Sequence, residues 1–335
     1  MNSESTETEV VQEVEIHNFK SIKHLELDCR RINVFIGEPN TGKSNLIEAI
    51  IGLPSLAYYR RFESDIKCFI RFENYSNIFY DNNLEDVVKV KFKKFNGKLN
   101  FEIEICYKDG YYYWSVKPNL MPQYTLFTSS DEFYKIAKQF KFYRFVPLAD
   151  FKRRESEFLL PPNGSNFPSV YTTHKKLREI FGEIFRRYGL KLMREPGTNE
   201  IRVVKETEFD LIMYPYQTLS DTFRRLMFYM SVILTNKNSI IAMEEPEAHA
   251  FPFYTKYLAE LIALDENNNQ YFITTHNPYF LLSLIEKTPK DEIAVFLTYY
   301  KDYQTKIKRL SERELQEILD LGIDVFFNID RFLED

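Results

Sequence analysis

The sequence is short of the residues that would place it among several common protein classes. Its 335 residues hold three cysteines, Cys29, Cys68 and Cys106, too scattered for a Cys-x-x-Cys motif and too few for a closed disulfide framework. This favours a reduced, intracellular protein. Charge of one sign is not in excess: the net charge of −5 gives no overall signature of nucleic-acid binding, although a local patch could still supply one. Long apolar runs are missing. The longest, Leu226 to Leu234, falls short of the roughly 18 residues needed to span a bilayer. Residues 1–12 are polar and acidic, without the features of a signal peptide. The expectation is a soluble, cytoplasmic chain that makes no use of a membrane. Glycine is scarce, at 10 residues, so a glycine-bearing turn stands out. Aromatic residues are abundant, with 23 tyrosines and 30 phenylalanines, so an aromatic cluster by itself is weak support for a site.

Such a turn occurs at Gly37-Glu38-Pro39-Asn40-Thr41-Gly42-Lys43-Ser44. It follows the apolar run Ile32 to Ile36 and opens a helical pattern over Asn45 to Leu53, which is the strand–loop–helix context of a P-loop. The glycines allow backbone N–H groups to point at phosphate oxygens, and the helix behind adds the positive end of its dipole. Lys43 is expected to contact the β- and γ-phosphates and Ser44 to ligate Mg²⁺.

Before this loop, Glu13–His17 and His24–Asp28 alternate as two strands. After it, short strands are expected over Cys68–Phe72, Val87–Phe92, Leu99–Tyr107 and Tyr111–Val116. An amphipathic helix is expected over Thr173–Leu190, then strands at 191–194, 200–205 and 209–213 around a turn at Pro196-Gly197. Residues 59–208 read as an inserted β-rich and helical lobe, and 1–58 with 209–335 as one discontinuous core.

A second cluster of chemistry begins at Leu219-Ser220-Asp221-Thr222, where Ser220 or Asp221 caps a long apolar helix. The apolar strand Ser239–Met243 ends in Glu244-Glu245-Pro246-Glu247. A strand ending in acids beside a P-loop can supply one carboxylate to Mg²⁺ through water and one to the attacking water. Glu244 takes the first role and Glu245 the second. A further strand, 270–275, ends in His276, on the carboxyl edge where an α/β sheet binds ligands.

With these motifs in order, the chain resembles ABC-type ATPases of the SMC, RecF and OLD group. Asn18-Phe19-Lys20-Ser21-Ile22 looks like that group's N-terminal segment, Gly37–Ser44 with Asn45-Leu46 its Walker A, and Leu219-Ser220-Asp221 its signature. Glu244–Glu247 looks like its Walker B and Thr275-His276 its switch histidine. The resemblance implies a P-loop α/β fold of ABC-ATPase type with a mixed central sheet flanked by helices. It also implies ATP and Mg²⁺ as ligands, with Gly37, Asn40, Thr41, Gly42, Lys43, Ser44, Asn45 and Lys20 around the nucleotide. Lys43, Glu245 and His276 would be catalytic, and Ser44 and Glu244 would face the metal. Ser220 and Asp221 would act in trans across a homodimer that sandwiches the nucleotide. Thr222 stands where the group usually has glycine, and Glu244 where aspartate is common.

Two functions follow from this. One is an ATPase whose ATP-driven head-to-tail dimerisation controls an effector protein or a DNA transaction, in DNA maintenance or anti-phage defence. The other is a catalytically weak ATP sensor that holds a toxin or nuclease. A nuclease of the OLD type is disfavoured, because the stretch after His276 has no Asp-x-Asp pair and too few residues for a Toprim domain.

Overall fold

Alternating apolar and polar residues in Val11–Phe19 (β1) and Ile22–Asp28 (β2) pair antiparallel, with Phe19 opposite Ile22 at the turn. The structure, a computed structural model, describes residues 10–62, 65–94, 100–117, 131–148, 150–152, 154, 156–195, 198 and 200–333. Strand β3, Ile32–Gly37, is buried along its length, and the helix Lys43–Ile47, a π-helical turn Glu48–Gly52 and the helix Leu53–Tyr59 follow. Next come β4 (Val88–Lys94), β5 (Asn100–Lys108), β6 (Tyr111–Lys117) and β7 (Phe140–Tyr143). Helices Phe167–Thr173 and Lys175–Arg186 lead to β8 (Leu190–Arg194), β9 (Ile201–Glu206) and β10 (Leu211–Pro215). Helix Asp221–Thr235 precedes β11 (Ile240–Glu244), helix Pro252–Ala263 precedes β12 (Gln270–Thr274), and helix Pro278–Lys287 precedes β13 (Ile293–Lys301). Strand β14 (Gln304–Arg309) and helix Glu312–Leu321 come last, the helix capped by Ser311 and Glu314 in a reciprocal capping box.

The central sheet has the order β14-β13-β3-β12-β11-β7, parallel except for β14 at its edge. Side chains alternate across it into two cores. Phe35, Ala242, Phe272 and Phe296 face the P-loop helix and a five-stranded antiparallel sheet, β2-β1-β4-β5-β6. Val34, Ile36, Met243 and Ile273 face the helices of 221–235, 252–263 and 278–287. Burial on both faces explains the near-continuous apolar runs of β3, β11 and β12. The expected α/β fold with a mixed central sheet is therefore the one observed.

Several expected elements differ. The helix expected over Thr173–Leu190 is two helices, because His174 is extended (φ −95°, ψ 102°) and its Nδ1 lies 3.0 Å from the Val170 carbonyl oxygen. Cys68–Phe72 is not a strand: the Asp65 carboxylate accepts from the Lys67 amide at 2.9 Å and caps a single 3-10 turn, Ile66–Cys68. Residues 59–208 share both larger sheets with the rest of the chain, through β4 beside β1 and β7 beside β11. The expected turn at Pro196-Gly197 lies outside the described residues.

Candidate nucleotide-binding site

The register of the central sheet brings the three motif-bearing strand ends level. Phe35 lies opposite Thr274, and Thr274 opposite Glu244, so β3, β12 and β11 open on one edge. Both glycines of the loop are required by close approach. Gly37 has φ +144°, and a Cβ there would lie 2.2 Å from the Thr298 carbonyl oxygen of β13. Gly42 has φ +94°, and its Cβ would lie 2.1 Å from Thr305 Oγ1 of β14. Lys43 folds back on the loop, its Nζ donating to the carbonyls of Gly37 at 2.9 Å and Glu38 at 2.5 Å. Burial pushes its pKa down to about 8, against the pull of Glu245 and Glu38.

Ser44 Oγ donates to Glu244 Oε1 at 2.5 Å, so the two residues expected at the metal are in direct contact. The other Glu244 oxygen accepts from Arg144 Nε at 2.7 Å, and Arg71 Nη2 lies 3.0 Å from Oε1. The same arginines reach the fully buried Glu48, Arg71 Nε and Arg144 Nη2 each at 2.8 Å, and Lys20 also donates to it. Burial alone would raise the Glu244 pKa; Arg144 and Arg71, with the Ser44 hydroxyl, hold it below the usual carboxylate range. The donors, a hydroxyl and a carboxylate, are hard oxygens of the kind Mg²⁺ takes.

Glu245 has the left-handed backbone angle φ 42°, a strained conformation for a glutamate. Its amide donates to the Thr274 carbonyl at 3.1 Å, and His276 Nε2 lies 3.6 Å from its Oε1. Desolvation and the Lys43 charge lower the His276 pKa, and Glu245 opposes them, so the neutral imidazole is favoured. Beneath this pair, Glu247 is buried, with Oε1 accepting from Thr275 Oγ1 at 2.5 Å and, among the described residues, no hydrogen-bond partner for Oε2. Burial raises its pKa to about 7.

A cavity of about 740 Å³ lies over the loop, and Lys20, Asn40, Gly42, Lys43, Ser44, Asn45, Glu245 and His276 line it. Thr41 is buried against Thr298, their hydroxyls 2.8 Å apart. Ser220 and Asp221 are not part of this cavity. Ser220 caps its helix, accepting from the Phe223 amide at 3.4 Å, and Asp221 pairs with Arg224 at 3.0 Å. Thr222, at the position where glycine was expected, donates to the His249 carbonyl at 2.6 Å and ties the helix start to the acidic loop. A larger cavity, about 1300 Å³, is lined by residues at the opposite ends of β7 and β11, such as Gln139 and Ser239, away from this chemistry.

Residues 10–208 and 223–281 match the family model of the AAA ATPase domain. The chain belongs to this family. A 99-residue stretch is 31% identical to the DNA replication and repair protein RecF of Bacillus mycoides (strain KBAB4), over 29% of this chain and 24% of RecF. The match thus spans about a quarter of that relative. The fold is similar to an SMC head bound to the C-winged helix domain of ScpA, with TM-score 0.58, 14% identity and coverage of 92% of this chain and 99% of that one. It is likewise similar to an Smc head domain with an extended coiled coil bound to the C-terminal domain of ScpA, from Pyrococcus furiosus (TM-score 0.59, 13% identity, 93% and 99% covered). The chain thus has the AAA ATPase domain as its sequence family and the fold of an SMC head domain.

In this AAA-family ATPase, the motifs of the loop and the strand ends were readable in the sequence, whereas Arg71, Arg144 and Glu48 were not. Arg144 follows β7, whose sequence Phe-Lys-Phe-Tyr hides a fully buried strand behind a lysine. That lysine, Lys141, is satisfied by Asn236 Oδ1 at 2.6 Å and by the Phe158 ring at 3.5 Å.

Proposed function

We propose that this chain binds Mg-ATP at Gly37–Ser44 and hydrolyses it, and that ATP-driven head-to-tail dimerisation couples this cycle to an effector protein or a DNA transaction. The setting that fits the family is DNA maintenance or anti-phage defence. The observation that carries the reading is the Ser44–Glu244 contact at 2.5 Å, with Lys43 and the Glu245–His276 pair on the same sheet edge. Ser44 and Glu244 would hold magnesium, which would supply charge neutralisation for the phosphates. Lys43 exchanges its two carbonyl partners for phosphate oxygens. Glu245 accepts the proton of the attacking water, and neutral His276 orients that water. Ser220, at the amino end of the helix Asp221–Thr235, presents a hydroxyl and a helix dipole to a second copy. The ScpA segments bound in the two SMC-head structures support a protein partner by analogy.

The test is Glu245→Gln. The variant is expected to bind ATP, release no phosphate and run as a dimer in light scattering with saturating Mg-ATP. A monomer under those conditions, with phosphate release unchanged, would overturn the reading.

A specific observation supports the second function, an ATP sensor with slow turnover. Both Glu244 oxygens are held by arginines, so Arg71 must give way before that carboxylate can serve a metal. Single-turnover hydrolysis separates the two: the sensor predicts stable ATP-bound dimers of the unaltered chain.

A further inference from the structure

The β1–β2 hairpin carries a cluster that the nucleotide site does not use. His17 and His24 are direct cross-strand partners, their rings stacked with centroids 4.5 Å apart. Glu15 lies two residues before His17, on the same face of the strand. Its Oε1 is 2.5 Å from His17 Nε2 and 3.7 Å from His24 Nε2. Glu26, opposite Glu15 in the register, brings Oε1 to 3.6 Å from His24 Nε2. One donor atom from each of Glu15, His17 and His24 lies within 4.8 Å of the other two. The second oxygen of Glu15 accepts from Lys91 Nζ at 3.0 Å, which leaves Oε1 turned to the imidazoles.

We propose that Glu15, His17 and His24 form a binding site for a divalent transition-metal ion of the zinc class, with Glu26 in reach as a fourth ligand. Zinc bonds of about 2.0–2.1 Å in tetrahedral geometry set donor–donor separations of about 3.3–3.5 Å. Both His24 distances are within a few tenths of an ångström of that spacing. The shorter His17–Glu15 contact is a hydrogen bond that opens when a cation replaces its proton. Two imidazoles and two carboxylates suit zinc in ligand type and neutralise its charge. The donors sit at i, i+2 and directly cross-strand positions of paired backbone, so their spacing is fixed by the sheet. Lys91 plays the part of an outer partner that orients the ligating carboxylate.

The position gives the ion a consequence. The next pair in the register, Phe19 and Ile22, closes the turn that carries Lys20 and Ser21 to the rim of the loop cavity. A cation clipping β1 to β2 holds that turn. This consequence rests on the nucleotide reading; the metal site itself does not.

The experiment is a zinc titration of the full chain by calorimetry in millimolar Mg²⁺, repeated with Co²⁺ followed by its visible absorption. One equivalent is expected, with affinity falling at least about tenfold in His17→Ala and in His24→Ala, a change of about 1.4 kcal/mol. His276→Ala is expected to bind zinc as the unaltered chain does, which separates this site from the nucleotide site. Unchanged zinc affinity in both histidine variants, or no saturable binding by the unaltered chain below about 1 mM, would overturn the proposal. His17→Gln, with the circular dichroism of the folded chain, guards against loss of affinity through misfolding.

Discussion

Ser44 Oγ and Glu244 Oε1, 200 positions apart in the chain, are joined by a 2.5 Å hydrogen bond. The contact exists because β3 and β11 flank β12 in register, which sets the amino end of the loop helix against the last residue of β11. Arg71 closes the group from a third side, at 3.0 Å from the same carboxylate oxygen.

Arg71 and magnesium therefore compete for one oxygen. Arg71→Ala is expected to lower the Mg²⁺ concentration for half-saturation with nucleotide about fivefold, since a half-exposed ion pair contributes about 1 kcal/mol. Ser44→Ala is expected to raise it. A Mg²⁺ titration with a fluorescent ATP analogue reads both, and an unchanged midpoint for Arg71→Ala would remove the competition.

Arg144 bridges two carboxylates, one of them the fully buried Glu48. Arg144→Met takes one of three cationic partners from Glu48, with Arg71 and Lys20 remaining, and the expected loss is about 1.5–3 kcal/mol of stability. The urea midpoint measures it, and Glu48→Gln in the same chain should restore part of the loss.

Glu247 keeps its proton to higher pH than a surface carboxylate does. Burial raises its pKa from 4.5 to about 7, so the unfolded chain gives up this proton first as pH rises. The folded state is penalised progressively between pH 4.5 and about 7, and fully above that. Glu247→Gln keeps an acceptor for Thr275 and removes the penalty. At pH 8 it should be the more stable protein by up to about 3 kcal/mol, the difference closing by pH 4. Denaturant midpoints across that range test it; a gap independent of pH would contradict the assignment.

Ser220 lies outside the loop cavity of its own chain. Ser220→Arg is expected to leave ATP binding by the monomer within about twofold of the unaltered chain, under 0.5 kcal/mol, and to abolish dimerisation and hydrolysis. Lys43→Ala should instead lose binding. Loss of binding in Ser220→Arg would place the residue in cis.

The sequence by itself determined the local chemistry: the loop Gly37–Ser44, the acids ending one buried strand and His276 ending another. These are legible because a phosphate loop and a buried parallel strand each impose a short contiguous pattern. It also placed most strands, and a helix cap at Ser220 or Asp221, of which Ser220 is the one that caps. What only the tertiary structure decided is whatever depends on approach between distant segments. Gly37 and Gly42 face Thr298 and Thr305 on two other strands, and no local pattern announces a missing Cβ there. Arg144 meets Glu48 and Glu244 because β7 joins the central sheet beside β11, a pairing masked by its buried lysine, and Arg71 reaches the same two acids from the segment after the 3-10 turn Ile66–Cys68. His17 and His24 become neighbours through a turn, and Glu15 joins them through strand period. Pattern along a chain encodes backbone conformation, whereas partners across a sheet are chosen by the packing of the whole.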